Sequence, residues 1–552
     1  MNNASLELGG TNWAEKDGNI LGYSVGDTSG NFSPQEFTFA RGSNLSATRI
    51  DRAGLIVKGR ENVLLQSNSF DTTWALANTS VTSGQSGYDG SNNAWLFQST
   101  STFCRISQNL SFTGIVTQSV YAKAGTSNFL FLEFLGTIAQ TWFNLNTGSV
   151  ATTNNNISSS IIDVGGGWYR CSMTYNQSAV GELRIRLSNS DNTTATTASS
   201  NIYIQDAQIE QGLAASPYIE TTTTSAQAGV LENTPRLNYT TGVANPYLLL
   251  EPSRTNRLGY SELFSNWTIT GSITISANQV VSPEGVINAS IIDFSSTGAG
   301  GGVYVFGGVP SSSVSRTIYL KGAVGGETLD FSDPSQGGGS NITLTTEWQR
   351  FEYTGGSAAL CGIWLKNSAG NIIYAYGAQI EEGSYPTSYI PTYSVSATRA
   401  QDNCSKTNAS GEIGQTEGVL YAEVAALAND GTYRNIALSD GSLTNRILIQ
   451  YTPNANQINI VIIFSGGQYS LNHTVSNVTE FNKIAIKYKA GDNALWINGF
   501  EVDTDTNTLL PSALNTLSFD NTIGDAFYSK TKALVLYKEA LTDTQLATLT
   551  TI

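Results

Sequence analysis

Apolar and polar residues alternate one by one in many short stretches of the chain. The pattern is clearest in NFLFLEFLG (128–136), GELRIRLSN (181–189) and NIYIQDAQIE (201–210). A period of two places every second side chain on the same face, so each stretch predicts a strand with one buried face. Gly-, Asn- and Ser-rich turns separate these strands, and no heptad pattern is sustained. The pattern predicts an all-β chain made of β-sandwiches or jelly rolls, without a coiled-coil stalk.

The sequence around the end of one predicted strand occurs twice in the chain. YIQDAQIEQGLAASPYIET (203–221) and YAYGAQIEEGSYPTSYIPT (374–392) share a Tyr, the block Ala-Gln-Ile-Glu-x-Gly and a later Tyr-Ile at one offset. Four further landmarks occur twice in the same order: an opening motif (Asn62, Ser67, Phe70; Asn256, Ser261, Phe264), a closing Trp (Trp74; Trp267), a Tyr-x-Lys (Tyr121; Tyr319) and a Trp-x-Arg (Trp168; Trp348). The shared order predicts two homologous modules, at 62–222 and 256–393, with loops of different length.

The last part of the chain lacks these landmarks. GVLYAEVAAL (418–427), RILIQYT (446–452) and QINIVIIFS (457–465) predict further strands, and one short helix is predicted at the end. Thr542 is the predicted N-cap of that helix, with Asp543 and Gln545 in its first turn. The third unit is therefore predicted to be a different, strand-rich unit and not a third copy of the module.

The two modules resemble the carbohydrate-binding-module-like jelly rolls of tailed-phage fibre and adsorption proteins. The resemblance rests on the repeated landmarks and on three connecting segments: FTFARGSNLSATRIDRAGLI (37–56), NTPRLNYTTG…LLLEPSRTN (233–256) and SATRAQDN (396–403). WINGF (496–500) and LTDTQL (541–546) in the last unit resemble laminin-G or concanavalin A-like domains. The resemblance implies tandem β-sandwiches in an extended multidomain chain, namely two homologous jelly rolls followed by a concanavalin A-like sandwich.

These features predict five regions. They are an N-terminal arm for virion attachment (1–58), a first jelly roll (59–224), a linker (225–255), a second jelly roll (256–394) and a laminin-G or concanavalin A-like domain (395–552). The N-terminal stretch is rich in Gly and Asn, and both a docking arm and a disordered tail fit it.

Charge and composition narrow the class of protein. Only 13% of residues are charged and the net charge is −15, so a phosphate backbone would be repelled and a nucleic-acid partner is not expected. No stretch has the roughly 18 apolar residues of a membrane span, so no membrane insertion is expected. The N-terminus has no basic and apolar secretory pattern, although the composition is typical of extracellular β proteins. A protein that leaves the cell as part of an assembled phage particle, released by lysis, would have an extracellular-type composition and need no secretory signal. This predicts a location on the virion surface.

The four cysteines, Cys104, Cys171, Cys361 and Cys404, are far apart and form no CxxC pair, so thiolate metal sites are not expected. Buried thiols are the expected state. A disulfide between Cys104 and Cys171 is the alternative.

No catalytic constellation is evident, and the chain is predicted not to be an enzyme. The single histidine, His473, lies between predicted strands, and no nucleophile elbow, phosphate loop or His-x-x-x-His spacing occurs. EVDTDT (501–506) begins like the Glu-x-Asp-x-x-Glu of concanavalin A-like glycosidases, with Glu501 and Asp503. Thr506 replaces the third carboxylate, and retaining hydrolysis needs two carboxyls about 5 Å apart.

Sugar binding fits the sequence better, because apolar sugar faces stack on aromatic rings and hydroxyls bond to amides and carboxylates. Aromatic residues make up 10% of the chain. The candidate glycan contacts are Trp95, Trp142, Tyr304 and Trp364, with packing in each sandwich core as the alternative. Trp168 and Trp348 are predicted to be structural landmarks in the core.

Glutamates and glutamines alternate along the repeated last strand of each module. Glu210 and Glu381 are predicted to hold a structural Ca²⁺ or to close the sandwich, together with the landmarks Gln208 and Gln379. No other cofactor is expected.

Three functions remain open from the sequence. The first is a tail- or head-fibre-like phage virion appendage that binds host surface polysaccharide and attaches to other virion proteins by its N-terminal segment. The second is a purely structural virion protein whose modules contact only their neighbours, and the third is a subunit of a secreted depolymerase. A homo-oligomer is expected from the resemblance, with a trimer as the commonest form in phage fibres.

Overall fold

The structure is a computed structural model. It describes residues 4–552 except 12, 17, 26–31, 43–44, 112, 178–179, 298–299, 309–312, 332–339, 356–359, 367–370 and 522–523. Short antiparallel strands make up most of the described chain, which confirms the all-β prediction. We call the three units the first, second and third sandwich in the order of their main segments.

Segments that precede the first sandwich form seven strands. They are β1 (Leu6–Gly9), β2 (Ala14–Lys16), β3 (Asn19–Val25), β4 (Phe32–Arg41), β5 (Thr48–Ile50), β6 (Ile56–Lys58) and β7 (Arg60–Asn62). Strands β5 and β6 pair as a hairpin, which we call the N-terminal hairpin.

The first sandwich consists of two six-stranded sheets. Its strands are β8 (Ala75–Ala77), β9 (Thr79–Gln85), β10 (Ala94–Ser99), β11 (Arg105–Leu110), β12 (Gly114–Ala124), β13 (Phe129–Phe134), β14 (Ala139–Asn144), β15 (Ser149–Asn154), β16 (Ser158–Gly165), β17 (Trp168–Gln177), β18 (Gly181–Ser188) and β19 (Asn201–Gln211). The sheet orders are β16-β17-β12-β19-β10-β9 and β15-β14-β13-β18-β11-β8. Every second residue of facing strands enters one core, for example Leu130, Leu132, Leu183 and Ile185.

The second sandwich has the same arrangement with two five-stranded sheets in the described residues. After β20 (Ala226–Ala228), β21 (Leu237–Asn238), β22 (Tyr247–Leu250) and β23 (Arg254–Asn256), its strands are β24 (Thr268–Thr270), β25 (Thr274–Val281), β26 (Ile287–Asp293), β27 (Gly302–Phe306), β28 (Val314–Gly322), β29 (Thr328–Phe331), β30 (Ser340–Thr343), β31 (Gln349–Thr354), β32 (Leu360–Leu365) and β33 (Ile372–Glu382), with a 3₁₀ turn at Phe264–Asn266. The orders are β24-β27-β32-β29-β30 and β25-β26-β33-β28-β31.

The last part of the chain contains the remaining strands and one α-helix, and all of these strands except β34 belong to the third sandwich. They are β34 (Ala397–Arg399), β35 (Asp402–Lys406), β36 (Glu417–Ala426), β37 (Arg434–Ser439), β38 (Arg446–Tyr451), β39 (Gln457–Phe464), β40 (Gly467–Thr474), β41 (Asn482–Lys489), β42 (Asn493–Ile497), β43 (Phe500–Asp505), β44 (Thr516–Ser518), β45 (Ser529–Tyr537) and α1 (Asp543–Thr550). β34 itself pairs with β23. Thr542 caps α1 in a reciprocal capping box with Gln545, as predicted.

The third sandwich differs from the predicted division of the chain. Strand β1 pairs with the last strand β45, β4 pairs with β35, and β22 also pairs with β45. Leu6, Leu8, Phe37 and Leu248 are fully buried in the same core as the C-terminal strands. The segments predicted as a free N-terminal arm and as a linker therefore supply strands to this sandwich, because their short alternating apolar residues complete its core.

A buried ion-pair cluster joins the connecting segments. We call Arg41, Arg236, Arg399, Glu251 and Asp402 the arginine cluster; their side chains are at most 4% exposed. Asp402 accepts from Arg41 at 3.1 Å and from Arg236, and Glu251 pairs with Arg236 at 2.5 Å and Arg399 at 3.0 Å. The three connecting segments that resembled phage proteins each supply at least one member, so they meet in one place.

A second buried cluster fixes the N-terminal hairpin to the second sandwich. We call Lys58, Glu262 and Glu284 the lysine cluster; the Lys58 ammonium contacts both carboxylates, and the three side chains are at most 4% exposed. The rings of Tyr376, Tyr389 and Tyr393 surround Lys58 Nζ with centroids 5.4–5.8 Å away. The hairpin precedes the first sandwich in sequence but packs on the second, so the chain is interleaved and not a simple series of domains.

Candidate functional site

One sheet of the second sandwich exposes an aromatic surface. In β32, Cys361, Ile363 and Leu365 face the core, so Gly362 and Trp364 face outward. Trp364 lies opposite Gly302, and Tyr304 lies opposite Gly362. We call the outward surface formed by Tyr304, Trp364 and the two glycines the aromatic face.

The two glycines allow the indole of Trp364 to lie flat on the sheet. A Cβ at Gly302 would come within 2.1 Å of the pyrrole end of the indole, and one at Gly362 within 2.3 Å of its benzene end. One ring face therefore rests on backbone along its whole length. Trp364 and Tyr304 are both half-buried, and their rings are near-parallel, at 18° with centroids 5.9 Å apart. The pair forms a flat apolar platform.

Polar groups lie beside this platform. Asp330 is the cross-strand partner of both Trp364 and Asn341. Its Oδ2 is 3.5 Å from Lys366 Nζ, which also donates to the side-chain oxygen of Asn341, and its Oδ1 is buried without a hydrogen-bond partner among the residues that the structure describes. The ring of Phe306, 68% exposed, meets Tyr304 edge-on at 5.8 Å. An aromatic floor beside a carboxylate, an amide and an ammonium is suited to a polyhydroxylated ligand.

The other two candidate contacts are buried in the first sandwich. Trp95 is 7% exposed within the core, and its Nε1 donates to the Asn68 carbonyl at 2.9 Å. Trp142 faces outward but is 2% exposed, because it stacks on Phe131 at 4.0 Å and its Nε1 donates to Thr193 O at 2.8 Å. The structure therefore corrects the interpretation of Trp95 and Trp142 as stacking surfaces for sugar.

The repeated Gln and Glu of the last strand hold the loop that follows it. Glu210 accepts from the backbone of Ser216 at 2.7 Å, and Glu381 accepts from the backbone of Thr387 at 2.5 Å. Gln208 accepts from Ile219 N, and Gln379 accepts from Ile390 N, both at 2.7 Å. In the described part of the chain, no group of three His, Cys, Asp or Glu side chains is arranged to hold a metal ion. The two glutamates therefore close the sandwiches, the second of the two predicted roles.

The Asn and Ser of the opening motif also hold the end of each module in place. Asn62 and Asn256 each donate to one backbone carbonyl of the last strand and to one of the loop that follows it. The serines of the opening motif, Ser67 and Ser261, each bond to the tyrosine of the later Tyr-Ile at 2.6 Å. Trp168 and Trp348 lie on the outer side of the sheet that carries β19 or β33, in small aromatic clusters and not in the main cores. The repeat thus encodes a way of closing a sandwich, and the aromatic face lies outside it.

One position of the repeat carries a titratable side chain in the first sandwich and a glycine in the second. Asp206 has φ 53° in a β-bulge where the second sandwich has Gly377 at φ 55°. Burial raises the pKa of Asp206 to about 6, while the Tyr88 hydroxyl donates to it at 2.9 Å. Because the folded state holds this proton more tightly than the unfolded chain, stability falls as pH rises through about 4 to 6.

We therefore expect Asp206→Asn to stabilise the first sandwich at neutral pH by about 1–2 kcal/mol and to have little effect below pH 4. Asparagine keeps the acceptor for Tyr88 and tolerates the left-handed backbone. Thermal unfolding of both proteins between pH 3.5 and 8 measures the effect. Parallel pH profiles for variant and wild type would contradict it.

The cysteines and the acidic hairpin carry no further site. All four cysteines are free and buried, so Cys104 and Cys171 do not form the disulfide that was an alternative. Both enter the core of the first sandwich, but Cys104 precedes β11 in one sheet and Cys171 lies on β17 in the other. Glu501 and Asp503 lie on β43, where Asp503 accepts from the Asn472 backbone at 2.9 Å. Within the described residues, no helix has the length and apolar character needed to cross a membrane.

Comparisons with known proteins give distant structural neighbours. No family model matches the sequence, and no curated protein matches it. The CBM40 module of a Ruminococcus gnavus IT-sialidase, solved with α2,3-sialyllactose, is 15% identical, covers 25% of this chain and 84% of its own, and has a TM-score of 0.23. The tandem CBM22 domains of Paenibacillus barcinonensis Xyn10C are 12% identical, with coverages of 62% and 100% and a TM-score of 0.21. The LG1–3 region of the laminin α2 chain is 11% identical, with coverages of 80% and 96% and a TM-score of 0.14. We draw no functional conclusion from likenesses of this size.

Proposed function

We propose that this protein binds glycans, with the aromatic face of the second sandwich as its principal contact surface. The observation that carries the proposal is the flat, half-exposed indole of Trp364 on Gly302 and Gly362, continued by Tyr304. A pyranose ring presents an apolar C–H face of similar size to such a platform, and exclusion of water from both surfaces stabilises the contact. Asp330 and Asn341 lie where they can accept from and donate to sugar hydroxyls.

The role is binding and not bond cleavage, since the described groups at this face include one carboxylate, Asp330, and glycoside hydrolysis needs two. Single sites of this kind are weak, and several copies on one particle would raise the apparent affinity. We place the protein on a phage virion as a fibre-like appendage, on the strength of the sequence resemblance alone. Immunogold labelling of purified particles tests that location, and mass determination in solution tests the expected homo-oligomer.

Trp364→Ala is expected to weaken binding to the best ligand of a glycan array by roughly 30-fold, about 2 kcal/mol, because it removes the centre of the platform. Binding is measured by isothermal titration with that ligand. Phe500→Ala, which removes a ring that is 72% exposed on the third sandwich, is the matched control and should bind as wild type.

Unchanged binding by the folded Trp364→Ala protein would contradict the aromatic face as the site. If no glycan binds the wild type and the protein instead retains only virion proteins in a pull-down, the structural alternative, in which the modules contact only neighbouring virion proteins, holds. Release of reducing sugar from capsular polysaccharide would instead support the depolymerase subunit.

A further inference from the structure

The equivalent sheet of the first sandwich carries charge where the second carries its aromatic face. The equivalent positions of the two sheets can be aligned from the strand that follows the closing Trp of each module, which is β8 in the first sandwich and β24 in the second. The matching rows are Ala75–Ser107–Arg184 in the first sandwich and Thr268–Tyr304–Gly362 in the second. Arg184 therefore takes the position of Gly362, and Arg186, two residues further, takes that of Trp364. The cores of the two sandwiches agree, while the outer faces differ in chemistry.

Three arginines meet two glutamates on this face, which we call the arginine face. Arg184 bonds to Glu182 at 2.9 Å and to Glu133 at 3.2 Å, and Arg186 bonds to Glu133 at 2.9 Å. Arg105 donates through Nε to Glu182 at 3.3 Å. The face therefore keeps one net positive charge in a chain whose net charge is −15.

Arg105 is the most accessible of the three guanidinium groups. Its side chain is 34% exposed, against 15% for Arg184 and 7% for Arg186. Its two Nη atoms have no protein partner among the described residues, so they can donate to an incoming anion. The fixed fork of a guanidinium matches the two oxygens of a carboxylate.

The buried aromatic pair supports this arrangement from the side. The guanidinium of Arg186 lies over the ring of Phe131 at 5.2 Å, and Phe131 stacks on Trp142 at 4.0 Å. Trp142 is held in turn by Thr193 O, which also accepts from Ser188 Oγ at 2.8 Å. Arg186 is thus restrained before any ligand arrives, and the Nε of its side chain, 7% exposed, has no hydrogen-bond partner in the described part of the chain.

We infer that the arginine face binds a carboxylated sugar, with Arg105 as the direct contact and Arg184 and Arg186 supplying the surrounding positive charge. The inference rests on the proposed glycan binding and adds the ligand class of the first sandwich. The two sandwiches then bind different sugars: the second sandwich by stacking on its aromatic rings, and the first by the charge of its arginines. A polysaccharide that contains both neutral and acidic residues would engage both faces at once.

The test uses the full chain and an array of polygalacturonate, alginate, hyaluronan and polysialic acid, each beside its carboxyl-reduced form. We expect at least one carboxylated polymer to bind ten times more tightly than its reduced form, and this preference to fall as salt screens the charge. Arg105→Gln should remove the preference and Arg105→Lys should keep part of it. Arg52→Gln, which removes an exposed arginine far from this face in sequence, should keep it fully.

The outcomes separate this inference from the proposed function. Trp364→Ala should weaken binding to neutral polymers and leave the carboxylate preference intact. The inference is overturned if no carboxylated polymer is preferred over its reduced form, or if Arg105→Gln keeps the preference. Neither result bears on the proposal that the aromatic face binds glycans. That proposal would be contradicted if Trp364→Ala left the binding of neutral polymers unchanged.

Discussion

Replacing Asp402 by alanine is expected to lower the free energy of unfolding of the third sandwich by about 3–5 kcal/mol, since it leaves buried arginines without a partner. Asp402 accepts from Arg41 at 3.1 Å, from Arg236 and from the backbone of Glu251 at 2.9 Å, and its side chain is fully buried. After the substitution, one carboxylate faces three guanidinium groups. Urea denaturation followed by tryptophan fluorescence gives the change in stability.

The position of the arginine cluster determines which parts should loosen. Its members come from β4, from the segments around β21 and β22, and from β34 and β35. Hydrogen exchange should therefore increase at residues 231–256 and 396–406 before it increases in the core of the first sandwich. Glu36→Ala, which breaks an ion pair whose side chains are 60% and 50% exposed, is the control and should change stability by less than about 1 kcal/mol. A loss of similar size in both variants would contradict the assigned role.

The same cluster makes a prediction about acid. Burial tends to raise the pKa of Glu251, but Arg399 and Arg236 outweigh it and hold the pKa well below its usual range. For a carboxyl with a depressed pKa, the stabilisation is complete above the ordinary value near 4.5 and is lost as pH falls below it. The wild-type protein should accordingly lose stability as pH falls below about 4.5, which acid denaturation measures.

Local periodicity was enough to predict the strands, because the burial of every second side chain is a property of each segment alone. The repeat could also be predicted, since it is written in the sequence itself, and landmarks such as Gln208 and Gln379 make the same hydrogen bond in both sandwiches. The pairing of Leu6–Gly9 with Ser529–Tyr537 could not, because the partner of a four-residue strand lies at the other end of the chain. The local sequence of a strand determines which of its side chains are buried, whereas the tertiary structure determines which strands it pairs with.

The candidate site shows the same limit. Trp142 and Trp364 both lie on outward positions of strands, and the sequence offered no reason to separate them. Their cross-strand partners decide the difference: Phe131 covers one face of Trp142, whereas Gly302 leaves room for Trp364 to lie flat. The charged outer surface of the first sandwich does have a signal in the sequence. The stretch GELRIRLSN puts Glu182, Arg184 and Arg186 on the face opposite three core residues, which already indicated a charged outer surface.

Replacing Lys58 by methionine is expected to detach the N-terminal hairpin from the second sandwich, at a cost of about 3–5 kcal/mol. Lys58 neutralises Glu262 and Glu284, whose side chains are 1% and 4% exposed. Without it, two buried carboxylates remain beside each other, and the remaining cation that pairs with them among the described residues is Arg60, 3.5 Å from Glu284. Limited proteolysis should then cut residues 45–58 faster than in wild type.

A triple variant shows whether charge or packing is responsible. Lys58→Met combined with Glu262→Gln and Glu284→Gln removes all three charges and keeps the side-chain volumes, so it should recover most of the lost stability. The rings of Tyr376, Tyr389 and Tyr393 can pack on the methionine as they do on the lysine stem. If the triple variant is as easily cleaved as Lys58→Met, the hairpin is held by hydrogen bonds specific to the ammonium and not by charge balance. Burial lowers the pKa of Lys58, but the two glutamates outweigh it and raise the pKa above its usual value, so the wild-type attachment should persist from neutral pH up to about 10 and weaken above that.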